Sequence, residues 1–277
     1  MIAHEVLACL ELAIYVGLLV PTTFCTIHYA LKGQFGWLYL HAFVIAKIAG
    51  PAILISITEH SSSSSGLQIA SQILYQIALG PLMSATLSFV NISSTPDEDK
   101  YEHSYSPLAP LTQGGGSSMI LRLVHPIIMA GLVLGIIGGI RRMPDSATGM
   151  INPDKYDQGA TFMKASGALF LVAFVAICFG AIRLWKHRKA LATVSYHIVT
   201  GMVVILPLLF LRIIYSVLNS ANLDTTGHTG HTNKYNIMTG SWVIYLILGL
   251  IPQATIITIF IASGVFAWMK VRRGSGV

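Results

Sequence analysis

Ala165 to Ile182 reads ASGALFLVAFVAICFGAI, eighteen residues without a charge, bounded by Lys164 and Arg183. As a helix this stretch is about 27 Å long, close to the thickness of the hydrocarbon core of a bilayer. It is apolar on every face, whereas a helix at the surface of a soluble domain keeps a polar side. The same pattern recurs in both directions along the chain. Seven segments qualify as spans: residues 5–30, 37–58, 67–92, 119–140, 162–184, 192–219 and 238–269. Irregular backbone cannot face lipid, so the prediction is an all-α polytopic bundle of seven transmembrane helices, one domain over 1–277.

Composition supports this class. Of 277 residues, 54% are hydrophobic and 10% charged, where a soluble domain carries about a quarter of its residues as charges. The net charge is +6, but most basic residues flank apolar runs, where they anchor and orient helices. The expected partner is the lipid bilayer and not nucleic acid. Cys9, Cys25 and Cys178 lie inside apolar segments with no metal spacing between them, so neither a disulfide framework nor a zinc site is expected. There is no Walker motif, dinucleotide turn, nucleophile elbow or CxxC, and no cofactor is expected. The first apolar run is too long for a signal peptide and reads as an uncleaved span.

The hydrophilic parts are short. Ser93 to Ser118 holds Asp97-Glu98-Asp99 and Gly114-Gly115-Gly116, and Arg141 to Gly159 and Ser220 to Tyr235 form two further loops. His228 and His231 lie in the last of these, without the third ligand a metal needs. One side of the membrane would carry Lys32, Lys100, Arg183, Lys186, Arg188, Lys189, Lys270, Arg272 and Arg273, the other Arg141, Arg142, Lys155 and Lys234. The excess of basic residues predicts that the first side is cytosolic, with the N-terminus outside or lumenal and the C-terminus in the cytosol. Gly131, Gly135 and Gly139 form a small-residue ridge in the fourth span. Packing within the chain is the preferred reading of that ridge, and a homo-oligomer contact the other.

Ionisable residues inside spans carry the functional signal. Each costs about 2.5–3.5 kcal/mol at a helix centre, so each calls for a partner or a polar cavity. Glu11, Lys47 and Arg212 lie within the first, second and sixth spans, and Glu59 closes the second. In the predicted topology all four fall in the middle or outer half of the membrane. Gln72, Tyr75 and Gln76 share a face of the third helix, Arg212, Tyr215 and Asn219 a face of the sixth, and Trp242 and Tyr245 enter the seventh at the same depth. This asymmetry predicts a polar-lined cavity open to the outer side. Its candidate catalytic residues are Glu11, Glu59, Lys47 and Arg212. Its candidate substrate-binding residues are Gln72, Tyr75, Gln76, Tyr215, Asn219, Trp242 and Tyr245. Glu11 should pair with Lys47 or Arg212, and a structural ion-pair network is the competing reading.

Glu11-Leu12-Ala13-Ile14-Tyr15, Gly36-Trp37-Leu38-Tyr39-Leu40, Lys47-Ile48-Ala49-Gly50, Leu79-Gly80-Pro81-Leu82 and Leu211-Arg212-Ile213-Ile214-Tyr215-Ser216 together resemble a family of small fungal seven-helix membrane proteins. Some members of that family look like components of secondary-metabolite clusters. In size and helix count the chain is also similar to the fungal membrane-bound terpene cyclases. That likeness implies an endoplasmic reticulum protein, with the plasma membrane as the alternative, that cyclises a lipophilic isoprenoid or meroterpenoid. A carboxylic acid held neutral in a dry pocket, Glu11 or Glu59, would protonate an alkene or epoxide. The alternative is a seven-helix receptor or lipophilic-ligand binding protein without catalysis.

Overall fold

The computed structural model describes residues 2–30, 34–59, 67, 71, 73–75, 78–94, 116–142, 152–186, 193–221, 235 and 240–274, with backbone alone at several helix ends. The helices are α1 (Ile2–Ala30), α2 (Gly36–Glu59), α3 (Leu79–Ser94), α4 (Gly116–Arg141), α5 (Pro153–Lys186), α6 (Thr193–Ala221), α7 (Trp242–Tyr245) and α8 (Ile251–Gly274). A π-helical turn, Leu246–Leu250, joins α7 to α8. Seven helices are long and apolar enough to cross a membrane, the third running Ile73–Asn91 and the seventh Trp242–Phe266. The predicted all-α bundle is the observed one.

The helices close into a ring in the order α1, α2, α3, α4, α5, α6, α8 and back to α1. The third span also touches α5 and α6. Three quarters of its window (75%) is buried, against 22–50% for the other six, so it is the central helix of the bundle. The others turn one side outward. On α5, Val172, Val175, Phe179 and Ile182 are exposed while Phe170, Phe174 and Ile177 are buried. A helix apolar on its outer as well as its inner face is one that lipid solvates. Threonine hydroxyls in the first span are satisfied locally: Thr23 donates to the carbonyl of Leu19 over 2.7 Å and Thr26 to that of Thr22 over 2.8 Å. Such back-bonding to position i−4 lets a polar side chain sit in an apolar helix.

Two expectations change in detail. Residues 153–159, read from sequence as loop, form the first turns of α5. Asn152 caps it, its Oδ1 accepting from the backbone N–H of Asp154 and Lys155 over 3.1 and 3.4 Å. Pro153 follows at the first helical position, where its missing N–H is no loss. The glycine ridge on α4 faces α5 within the chain: a Cβ at Gly131 would come 3.3 Å from the Phe170 ring, and one at Gly135 3.0 Å from Ser166 Oγ. The third contact is Gly138, not Gly139. A Cβ there would fall 2.8 Å from the Gly159 carbonyl. A period of 3.6 residues alternates steps of four and three, which a strict four-residue count misses. Cys9, Cys25 and Cys178 are free thiols.

Candidate functional site

Glu11 stands about two turns into the first span and Lys47 near the middle of the second. The antiparallel packing of α1 and α2 brings the ammonium onto the carboxylate. Lys47 Nζ donates to Glu11 Oε1 over 3.0 Å, with 1% and 0% of the two side chains exposed. Tyr245 closes on the pair from α7. Its hydroxyl lies 2.9 Å from each Glu11 oxygen, donating to the carboxylate, and accepts from Lys47 Nζ over 3.3 Å. Every polar head in this group is therefore engaged with another. A buried charge persists only when paired and hydrogen-bonded in this way.

Aromatic rings wall the ammonium. Lys47 Nζ is 5.0 Å from the ring centroid of Tyr75 on the third span, 5.8 Å from that of Tyr245 and 6.0 Å from that of Tyr15. Tyr75 meets Tyr245 edge to face at 6.0 Å, and Tyr215 lies 6.1 Å from Tyr245 on another side. These separations lie within the range in which ring quadrupoles attract a cation. Arg212 on α6 is also buried, with its guanidinium carbon 5.3 Å from the Tyr215 ring centroid. Tyr215 donates to the carbonyl of Tyr235 over 2.7 Å, tying α6 to the segment before α7.

The ring of Tyr245 is held by the wide turn that follows it. Ile251 N–H bonds the Leu246 carbonyl, an i→i+5 contact. Pro252 comes next and has no N–H to continue a regular ladder. A Cβ at Gly249 would stand 2.7 and 2.8 Å from two Tyr245 ring carbons, so only glycine leaves the phenol over Glu11. Gly249→Ala is expected to cost about 1–3 kcal/mol of stability by overpacking. In a Tyr245→Ala background, which removes those ring carbons, it should cost measurably less, because both changes act on one contact. Thermal unfolding of the two single variants and the double variant in detergent checks this, and strict additivity would contradict it.

Among the predicted catalytic residues, then, Glu11 and Lys47 are in contact and Arg212 lies beside them, within electrostatic reach of Glu11. Glu59 ends α2, but its side chain lies outside the described residues, as do Gln72 and Gln76. Tyr75, Tyr215 and Tyr245 line the cluster. Asn219 does not. With Ser216 and Ser220 it lines a small cleft against Gly135 and Ser166, of about 30 Å³, room for one or two waters. Trp242 is 45% exposed and stands off the cluster, the place of an interfacial anchor. Lys164 is exposed on α5. Among the described residues no group of three metal-ligating side chains occurs, and His228 and His231 lie outside them.

Two residues at the site were not among the sequence candidates. Tyr15, four residues after Glu11 and so on the same face of α1, is fully buried with its hydroxyl unpartnered. Gln253, next to Pro252, is fully buried with both amide atoms unpartnered. The first was legible from the i, i+4 spacing. The second required knowing which face of the seventh span turns inward.

The chain belongs to the family described as a domain of unknown function, DUF7702, whose model matches residues 1–270. No curated protein and no solved structure matches it.

Proposed function

We propose that this member of a seven-span family is a membrane-embedded cyclase of lipophilic isoprenoids or meroterpenoids, started by proton delivery from the Glu11 carboxyl. The observation that carries the reading is a hydrogen-bonded group, Glu11, Lys47 and Tyr245, closed from water and ringed by tyrosines. An apolar substrate partitions into lipid and can enter between helices. Nζ of Lys47 is 3.0 Å from Glu11 Oε1. A proton passed along that hydrogen bond leaves a neutral carboxyl beside a neutral amine, an exchange favoured where separated charges are poorly solvated.

The chemistry then balances. The Glu11 carboxyl gives its proton to an alkene carbon, or to an epoxide oxygen whose C–O bond breaks. The resulting cation is captured by a neighbouring double bond, forming the new ring bond. A proton lost from the adjacent carbon returns to the carboxylate. The faces of Tyr15, Tyr75 and Tyr245, already turned toward a cation in Lys47, suit a developing carbocation. Glu59, at the end of α2, is the second candidate acid. The expected setting is a fungal endoplasmic reticulum membrane, as the family resemblance implies.

The test is product formation by microsomes carrying the protein, supplied with a terminally epoxidised isoprenoid and followed by mass spectrometry. Wild type should form cyclic product and Glu11→Gln should not; loss in Glu59→Gln alone would move the acid to the second candidate. Full turnover by both variants would overturn the proposal. The complete hydrogen bonding of Glu11 favours a second reading, a lipophilic-ligand binding protein without catalysis. In that case wild type binds the isoprenoid and returns it unchanged.

A further inference from the structure

Below the Glu11–Lys47 pair lies a second tier of buried polar atoms. Helices α1 and α8 run side by side in the same direction: Tyr245 contacts Glu11 and Tyr29 contacts the Gly264 carbonyl, at separations of 234 and 235 residues. At that offset Gln253 stands level with Leu18 and Leu19, one turn from Tyr15. Helix α6 runs the other way against α8. Gly201 faces Ile259 and Ser263; Arg212 is eleven residues further along α6, and counting eleven back along α8 reaches 248–252. By this count Tyr15, Arg212 and Gln253 lie within about one helical turn of one another in depth, on three helices. Arg212 is within electrostatic reach of Tyr15 as well as Glu11.

Four buried polar atoms of this tier lack hydrogen-bond partners. Tyr15 Oη, Arg212 Nε and both amide atoms of Gln253 make no hydrogen bond, although 0%, 3% and 0% of these residues is exposed. Leaving such groups unpaired is costly. The charges do not balance either. Glu11 is matched by Lys47 in the one ion pair found among the described residues, and Arg212 makes no ion pair there. An α-helix would set Tyr245 and Gln253 roughly 80° apart around the axis. The slower winding of the π-helical turn between them narrows that angle and turns the amide toward the same interior.

We infer that this tier is a binding site for the carboxylate head of an apolar-chain acid. Arg212 supplies the fork that matches a carboxylate, Tyr15 a hydroxyl donor and Gln253 an amide donor, while the chain lies among the tyrosine faces above. A neutral isoprenoid would leave the guanidinium uncompensated, whereas a carboxylate satisfies charge and donors together. The inference rests on the functional reading above for the entry of an apolar molecule between the helices, and not for any reaction.

The probe is a fluorescent polyene fatty acid, its methyl ester and free acetate, titrated into the purified full chain in nanodiscs of neutral lipid. The acid is expected to bind saturably and about tenfold to a hundredfold more tightly than the ester, with acetate failing to compete. Arg212→Gln should abolish the preference for acid over ester. Tyr15→Phe and Gln253→Leu, which change no charge, should each reduce it and serve as the test should Arg212→Gln fail to fold. Equal binding of acid and ester, no saturable binding of either, competition by acetate at equal strength, or a preference that survives all three variants overturns the inference. Loss of cyclisation in Glu11→Gln with acid binding intact separates this site from the proposed reaction. Acid binding without any cyclic product in wild type would sink the enzyme reading alone.

Discussion

Lys47→Met is expected to destabilise the folded bundle by about 3–5 kcal/mol, the cost of stranding one member of a buried ion pair. The substitution fits sterically, since methionine fills a similar channel. What it removes is the ammonium that bonds Glu11 Oε1 at 3.0 Å and Tyr245 Oη at 3.3 Å. Glu11, with 0% of its surface exposed, is then a carboxylate in an apolar medium without a cation bonded to it, the Tyr245 hydroxyl still donating. Removing both charges in Glu11→Leu/Lys47→Met should restore most of that loss, because a well-packed apolar pair often matches a buried ionic one. Unfolding midpoints in detergent for the two singles and the double form a cycle that measures the coupling. A near-zero effect of Lys47→Met would mean that the pair does not hold α1 to α2.

The second large effect falls on chemistry. Glu11→Gln keeps the size of the side chain and a carbonyl oxygen to accept from Lys47, but it cannot deliver the carboxyl proton. Positioned proton transfer contributes typically 10²–10⁴-fold to a rate, so the rate of product formation should fall by about that factor. The stability cost should be smaller than for Lys47→Met, because the amide oxygen still accepts from the ammonium. A lysine left without a counter-charge is destabilising in its own right, so folded protein must be quantified beside product. Equal loss of product and of folded protein would assign Glu11 a structural role.

The bundle was legible because lipid demands a simple code: about 20 apolar residues per helix, with breaks between. The π-helical turn in the first half of the seventh span and the start of the fifth were not. Asn152 and Pro153 are a helix start by capping chemistry, yet a hydropathy reading begins the span only where polar residues end. The apolar pattern does not announce the π-helical turn, in which Gly249 packs under the Tyr245 ring just before Pro252.

The site was legible in its charges and less so in its faces. Glu11 and Lys47 stand out because a span excludes charge, and antiparallel neighbours at equal depth pair naturally. Tyr75, Tyr215 and Tyr245 followed from depth and spacing. Depth alone also selected Trp242, which faces outward, and the shared face of Arg212, Tyr215 and Asn219 is too broad to act as one surface. Around α6, Tyr215 turns to the ion pair while Asn219 turns to the cleft against α4 and α5. Tyr15 carries no charge but follows Glu11 at the i+4 spacing, whereas only the packing identifies Gln253.

The central claim is that the buried pair exchanges protons with a substrate and is not merely a staple between α1 and α2. Cyclic product made by Glu11→Leu/Lys47→Met, normalised to folded protein, tests it most directly, since this variant keeps the packing and removes the proton chemistry. A stable bundle with no product above background is the expected result. Turnover at the wild-type rate would contradict it.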